Sequence, residues 1–169
     1  IQPAGSIICA NTNTSFTVVA TGVSLTYQWQ VSTNGGATYI NLTTNAPYSG
    51  VNTTTLVITA ASVTLNGNLY RCVISSACTP LNSTAATLTV NTTPIITVQP
   101  SNNVVCAANS VTFTVAATGG GLSYQWQTSA DNITYADIVG ATNIFYVENI
   151  NATKWFRCKI FCGDSSITS

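Results

Sequence analysis

The chain repeats itself. Gln2-Pro3, Cys9 and Tyr27-Gln28-Trp29-Gln30 recur, at one constant offset, as Gln99-Pro100, Cys106 and Tyr124-Gln125-Trp126-Gln127. Self-similarity at a fixed spacing is the mark of a duplicated structural unit. It limits the fold to something that can be built twice in 169 residues, and a module of about 90 residues can bury its own core. Further on, Tyr70-Arg71-Cys72 matches Phe156-Arg157-Cys158 after a shorter middle section in the second copy. The first copy runs to about Val90, and Asn91-Thr92-Thr93-Pro94 reads as a short linker. The expected domains are therefore 1–92 and 93–169.

Within each copy, apolar and polar residues alternate with period two. Phe16-Thr17-Val18-Val19 and Val111-Thr112-Phe113-Thr114-Val115 are examples, rich in β-branched and aromatic types. That pattern makes half-buried strands. Asn34-Gly35-Gly36 follows Gln28-Trp29-Gln30 as a hairpin signal, since Asn and Gly accept the positive φ of such turns. No segment has helical periodicity of useful length. Many short strands with turn residues between them indicate an all-β class, two tandem β-sandwiches.

Charge narrows the function. Charged residues make up 5% of the chain, where about a quarter is usual, so solubility rests on hydroxyls and amides. Arg71 is the one charged side chain before Asp131. A neutral surface does not steer toward phosphate, so neither nucleic acid nor anionic lipid is an expected partner. It does tolerate self-association. The apolar runs are too short for a membrane span. With no His, the usual His-based nucleophilic and metal sites are excluded. The four carboxylates, Asp131, Asp137, Glu148 and Asp164, are scattered, and no calcium, phosphate or nucleophile motif is present. No enzyme activity and no cofactor are expected.

The Trp of Tyr-Gln-Trp-Gln, Tyr70-Arg71-Cys72 and the closing run Ala85-Ala86-Thr87-Leu88-Thr89-Val90 together resemble an immunoglobulin-like module. The resemblance implies a buried Trp on strand C, here Trp29 and Trp126, and a tyrosine corner at Tyr70, two residues before the strand F Cys. Phe156 replaces that Tyr in the second copy and has no hydroxyl. The chain is more closely similar to the Ig-like repeats of large secreted and cell-surface proteins of Bacteroidetes-type bacteria. Their Gln-Pro, Val-Cys-Ala, Val-Thr-Phe-Thr-Val, Tyr-Ser-Gly and Tyr-Arg-Cys motifs recur here. Such repeats serve adhesins, gliding-related surface proteins and spacers of secreted enzymes. The second copy stops at Ser169, before anything like Ala85 to Val90, so its sandwich is expected to lack the last strand. That strand belongs either to a neighbouring stretch of a longer array or to another subunit that supplies it by β-addition.

Six cysteines suit disulfides in an oxidising compartment. No leader or sorting segment is visible, so an extracellular or cell-surface location is inferred from composition and cysteines. In the immunoglobulin pattern Cys72 pairs with strand B, but Val18 and Val115 occupy about the matching positions. Cys72 and Cys158 then read as buried thiols against Trp29 and Trp126. Cys9 with Cys78, and Cys106 with Cys162, can close one bridge per module. A bridge from Cys9 to Cys162 between successive modules is the alternative.

Alternation on the second strand F turns Trp155, Arg157, Lys159 and Phe161 outward, and strand C adds Gln125 and Gln127 to that face. These six form a possible contact face for a glycan, a cell-surface protein or a neighbouring module. Asn-x-Ser/Thr triplets at Asn13, Asn41, Asn52, Asn82, Asn91, Asn132 and Asn151 are what a chain rich in Asn and Thr produces by chance. The expected function is a structural or adhesive repeat of an extracellular bacterial filament or adhesin, assembling end to end or by strand addition. The alternative is a carbohydrate- or protein-binding module, or a spacer, of a secreted enzyme.

Overall fold

Alternating side chains need two apolar faces turned toward each other, and each copy of the repeat provides them. The computed structural model describes residues 1–76, 79–163 and 165–169. Two units, Ile1–Thr92 and Thr93–Ser169, each fold on their own contacts.

Among its described residues the first unit is a sandwich of nine strands: β1 (Ser6–Cys9), β2 (Thr14–Thr17), β3 (Thr26–Ser32), β4 (Ile40–Asn41), β5 (Tyr48–Ser49), β6 (Thr55–Ile58), β7 (Leu69–Ser75), β8 (Leu81–Asn82) and β9 (Ala86–Asn91). One layer runs β1-β9-β7-β3-β4, with β8 also on β7, and the other runs β2-β6-β5. Facing side chains fill the space between them. Phe16, Trp29, Leu56, Ile58, Tyr70, Cys72 and Leu88 are essentially fully buried and belong to one cluster. Phe16 stacks on Tyr70 with ring centroids 5.1 Å apart, and the Trp29 indole N–H donates to the Thr53 carbonyl at 3.0 Å. Buried indoles require such a partner. Gly50, from the Tyr-Ser-Gly motif, has φ +70°, and a Cβ there would lie 2.2 Å from the Thr55 carbonyl oxygen. Only glycine fits that turn.

Strand β9 closes this sandwich. Ala86, Leu88 and Val90 point inward and Thr87 and Thr89 outward. The strand is parallel to β1, with Ser6 opposite Leu88 and Cys9 opposite Asn91, and antiparallel to β7, with Tyr70 opposite Ala86. The loop before β7 grips its backbone: Gly67 N–H donates to Leu88 O at 2.8 Å, Leu88 N–H to Asn68 O at 2.9 Å, and Val90 N–H to Asn66 Oδ1 at 2.9 Å.

The second unit comprises β10 (Ile95–Val98), β11 (Asn109–Thr114), β12 (Ala116–Thr118), β13 (Leu122–Ser129), β14 (Ala136–Asp137), β15 (Phe145–Ile150), β16 (Trp155–Cys162) and β17 (Ser165–Thr168). Its main sheet is β14-β13-β16-β17, and β11-β15 and β10-β12 form the smaller ladders. Trp126, Cys158, Ile160 and Val115 form the core. The Trp126 indole N–H donates to Asn143 O at 2.9 Å, and Phe113 stacks on Phe156 at 4.6 Å. The closing strand divides here. β17 takes the place of β8: Ile160 faces Ile167 as Ile74 faces Leu81. Ser169 bonds both ways with Cys158, as Ser83 does with Cys72. Among the described residues of 93–169, none takes the place that β9 has in the first unit.

The tyrosine corner differs from the expectation. The Tyr70 hydroxyl pairs with the Tyr48 hydroxyl at 3.2 Å. Tyr70 is buried, and its ionisation is pushed far up, first by that burial and then by Tyr48. A side chain supplies the partner that the backbone supplies in the usual corner.

Candidate functional site

The outer face of each main sheet carries a cationic clamp built from the repeated Gln and Arg. In the second unit, β13 and β16 pair with Gln127 opposite Arg157. Arg157 Nε donates to Gln127 Oε1 at 2.7 Å, and Gln127 Nε2 donates to Asp137 Oδ1 at 2.6 Å. The guanidinium lies over the Tyr135 ring, 3.8 Å from its centroid. The first unit repeats this with Arg71 Nε on Gln30 Oε1 at 2.8 Å, Gln30 Nε2 on Asn41 Oδ1 at 2.8 Å, and Arg71 over Tyr39 at 3.8 Å. A guanidinium satisfied at its edge and covered on its face by a ring is a rigid tie between strands.

This changes the reading of the six face residues. Gln125 Nε2 donates at 2.8 Å to the carbonyls of Trp126 and Ile138, as Gln28 does to Trp29 and Leu42. It laces the sheet edge. Gln127 is 7% exposed, so neither glutamine is a free contact group. Arg157 is half-buried in its clamp. Trp155, at 37% exposure, and the half-buried pair Lys159 and Phe161 remain, with Lys159 Nζ 5.3 Å from the Phe161 ring centroid. Sequence reasoning missed Tyr39 and Tyr135. The signal was there: Tyr39-Ile40-Asn41 and Tyr135-Ala136-Asp137 repeat as Tyr-x-Asn/Asp just after the hairpin.

The carboxylates have local partners. Asp131 Oδ1 accepts from Thr134 N–H, Ile133 N–H and the Ser129 hydroxyl, and its carboxyl is held at about 2, first by Thr134 and then by the other two. These bonds fold the turn after β13. Glu148 accepts from the Tyr146 hydroxyl and pairs with Lys154 at 3.0 Å, and the Tyr146 hydrogen bond is the first cause of its lowered pKa. Tyr146 itself is pushed up to about 12, first by burial and then by Glu148. Asp137 holds Gln127. Asp164 lies outside the described residues.

The cysteines sort into three states. Cys9 and Cys162 are each disulfide-bonded. Cys72 and Cys158 are buried free thiols, each Sγ 3.6 Å from the carbonyl of the next residue. Burial raises both, Cys158 to about 11. Cys106 is an exposed free thiol. With Cys106 free and Cys162 disulfide-bonded, the expected pairing of these two is not formed. Cys78, the expected partner of Cys9, lies outside the described residues. Among the described residues, no cluster of His, Cys, Asp or Glu is placed to hold a metal, and no helix is long and apolar enough to cross a membrane.

A family model described as a domain of unknown function (DUF8696) matches residues 96–169, the second unit. No curated protein matches the chain. Solved structures do. The N-terminal four Ig domains of Dscam1 isoform 7.44 align over 98% of this chain and 41% of that one, at 17% identity and a TM-score of 0.50. The N-terminal eight Ig domains of Down Syndrome Cell Adhesion Molecule isoform 1.30.30 align over 98% and 21%, at 17% identity and a TM-score of 0.50. A three-Ig-domain structure of titin carrying an E-to-A change aligns over 99% and 61%, at 14% identity and a TM-score of 0.60. The chain thus spans about two fifths of the four-domain Dscam1 fragment. At these identities the likeness establishes the fold: two tandem immunoglobulin-like β-sandwiches.

Proposed function

We propose that the chain is a structural or adhesive repeat unit of an extracellular filament or surface adhesin of a Bacteroidetes-type bacterium, assembling end to end or by strand addition. The observation that carries this reading is the duplicated clamp. Both modules spend the Arg, Gln and Tyr of their outer face on the same internal tie. A feature used twice for the same mechanical purpose suits a stiff repeated element better than a ligand site, which needs its polar groups available. Disulfide-bonded Cys9 and Cys162 support an oxidising, extracellular setting, and the low charge supports self-association. One of the aligned proteins is itself a cell adhesion molecule.

A second reading, a carbohydrate- or protein-binding module or spacer of a secreted enzyme, rests on Trp155 with Lys159 and Phe161. Trp155→Ala separates the two. Assembly into ordered fibres that survives the substitution supports the structural reading. Glycan-array binding abolished by the substitution, with no fibres, replaces it with the second.

A further inference from the structure

The second copy of the repeat is shorter in its middle, and the shortening removes a strand. In the first module Leu42 N–H donates to Trp29 O at 2.9 Å and Trp29 N–H to Val51 O at 2.8 Å. In the second, Ile138 N–H donates to Trp126 O and Trp126 N–H to Ala141 O, both at 2.9 Å. Residues 43–50 fill the interval in the first module, and residues 139–140 fill it in the second. The stretch that differs is the one that holds β5. There β5 covers the outer edge of β6: Tyr48 pairs with Ile58, Ser49 with Val57, and Thr59 N–H donates to Pro47 O at 3.0 Å. The matching strand of the second module is β15, in which Val147, Glu148 and Asn149 stand for Val57, Ile58 and Thr59. Among the described residues β15 pairs with β11 alone. Val115 N–H bonds Ile144 O at 3.0 Å, so alternate residues from Ile144 onward turn their backbone groups to β11. Phe145, Val147 and Asn149 turn theirs to the uncovered edge. The gap lies inside the module, between Ile138 and Ala141, and in the layer opposite the one that β9 joins in the first module.

We propose that the edge of β15 is a lateral joint, which pairs antiparallel with β15 of a second copy of this chain about a two-fold axis. Three features select a second copy. Phe145–Ile150 carries no Lys, Arg or Pro, the residues that keep edges apart, and its one charge, Glu148, is bonded within the copy by Tyr146 and Lys154. Phe145 and Val147 are each 48% exposed, on the outer face beside that edge. The strand also complements itself. Opposed residues in a sheet share a face, so a two-fold pairing must centre on a residue rather than between two. Centring on Glu148 sets like charges opposite each other, and centring on Tyr146 leaves half of the strand unpaired. Centring on Val147 pairs Phe145 with Asn149, Tyr146 with Glu148, and Val147 with Val147. The residues whose backbone groups face the edge are then directly opposed as hydrogen-bonded pairs. The contact is isologous and closes at two chains. It goes beyond the structural-repeat reading by adding a side-by-side contact, and neither depends on the other.

Sedimentation velocity of the whole chain over a concentration series should show a monomer–dimer equilibrium. Val147→Lys sets two ammonium groups at the two-fold axis, on a side chain that the fold leaves half exposed, and should weaken dimerisation at least about tenfold. Thr112→Lys, on β11 directly beside Val147 and away from the edge, should leave it unchanged. A chain that stays monomeric up to about 1 mM, or equal loss in both variants, overturns the joint. Register is read by cross-linking in a Cys106→Ser background with oxidised glutathione. The thiolate of the Val147→Cys variant attacks the glutathione disulfide, the second copy's thiolate displaces the glutathione so joined, and two reduced glutathiones leave. Val147→Cys should cross-link at least about tenfold faster than Phe145→Cys. Opposed Cα atoms of such a pair lie about 5.5 Å apart, within disulfide reach, whereas each Phe145 lies opposite Asn149. Equal rates overturn the register. Native filaments from a chain that forms no dimer remove the joint alone, whereas dimers without native filaments remove the structural-repeat reading alone.

Discussion

Thr128 carries a buried hydroxyl oxygen with no hydrogen-bond partner among the described residues. The repeat supplies its natural comparison, because Val31 occupies the same place in the first module at 5% exposure. Thr128→Val replaces the hydroxyl by a methyl of nearly the same shape. Leaving a buried hydroxyl unpaired costs about 1–3 kcal/mol, and the added methyl contributes about 0.8 kcal/mol when buried. The variant should therefore stabilise the second module by about 1–3 kcal/mol. For a domain of this size each 1 kcal/mol is about 4–8 °C in Tm, so calorimetry of the full chain should show one transition rising by about 5 °C or more. Thr128→Ser keeps the hydroxyl and should give no gain, and Val31→Thr should lower the first module's stability by about 1–3 kcal/mol. A Tm for Thr128→Val at or below the wild-type value would refute the reasoning.

Three further predictions follow the same residues. The Arg157–Tyr135 clamp should show a coupling of about 0.5–1 kcal/mol in a double-mutant cycle of Arg157→Met and Tyr135→Ala read by urea unfolding, the range for a half-exposed cation–π contact. Zero coupling would mean the ring and guanidinium only sit near each other. Asp131 has its pKa depressed to about 2 from the ordinary 3.8, so its hydrogen bonds stabilise the fold fully above about pH 4 and lose that effect as pH falls through about 2. Asp131→Ala should therefore be less stable than wild type at pH 6, and the gap should shrink steadily as pH is lowered toward 2 in thermal melts. Maleimide labelling with peptide mapping should modify Cys106 in the native chain and reach Cys72 and Cys158 only in denaturant, as exposure and raised pKa require.

Much of the fold was legible because it depends on local pattern. The repeated Tyr-Gln-Trp-Gln and the alternating runs place Trp29, Trp126, Tyr70, Cys72 and Cys158 in two cores, and all five are fully buried. The site was less legible because it depends on partners distant in sequence. Alternation gives the side of the sheet on which Gln125 and Gln127 lie but not what they bond: one reaches Ile138, just past β14, and the other is locked between Arg157 and Asp137. The Cys106–Cys162 pairing failed for a related reason. Spacing along the chain does not show which thiols meet: Cys106 is free and exposed while Cys162 is disulfide-bonded. The closing strand was read as one element, whereas hydrogen bonding splits it into β8 and β9 in the first module and supplies only the first part, β17, in the second.

The most direct measurement is electron microscopy of the native material from the cell surface. The structural-repeat proposal requires continuous filaments or fibres whose axial repeat equals about two modules. Isolated, unassembled molecules would contradict it.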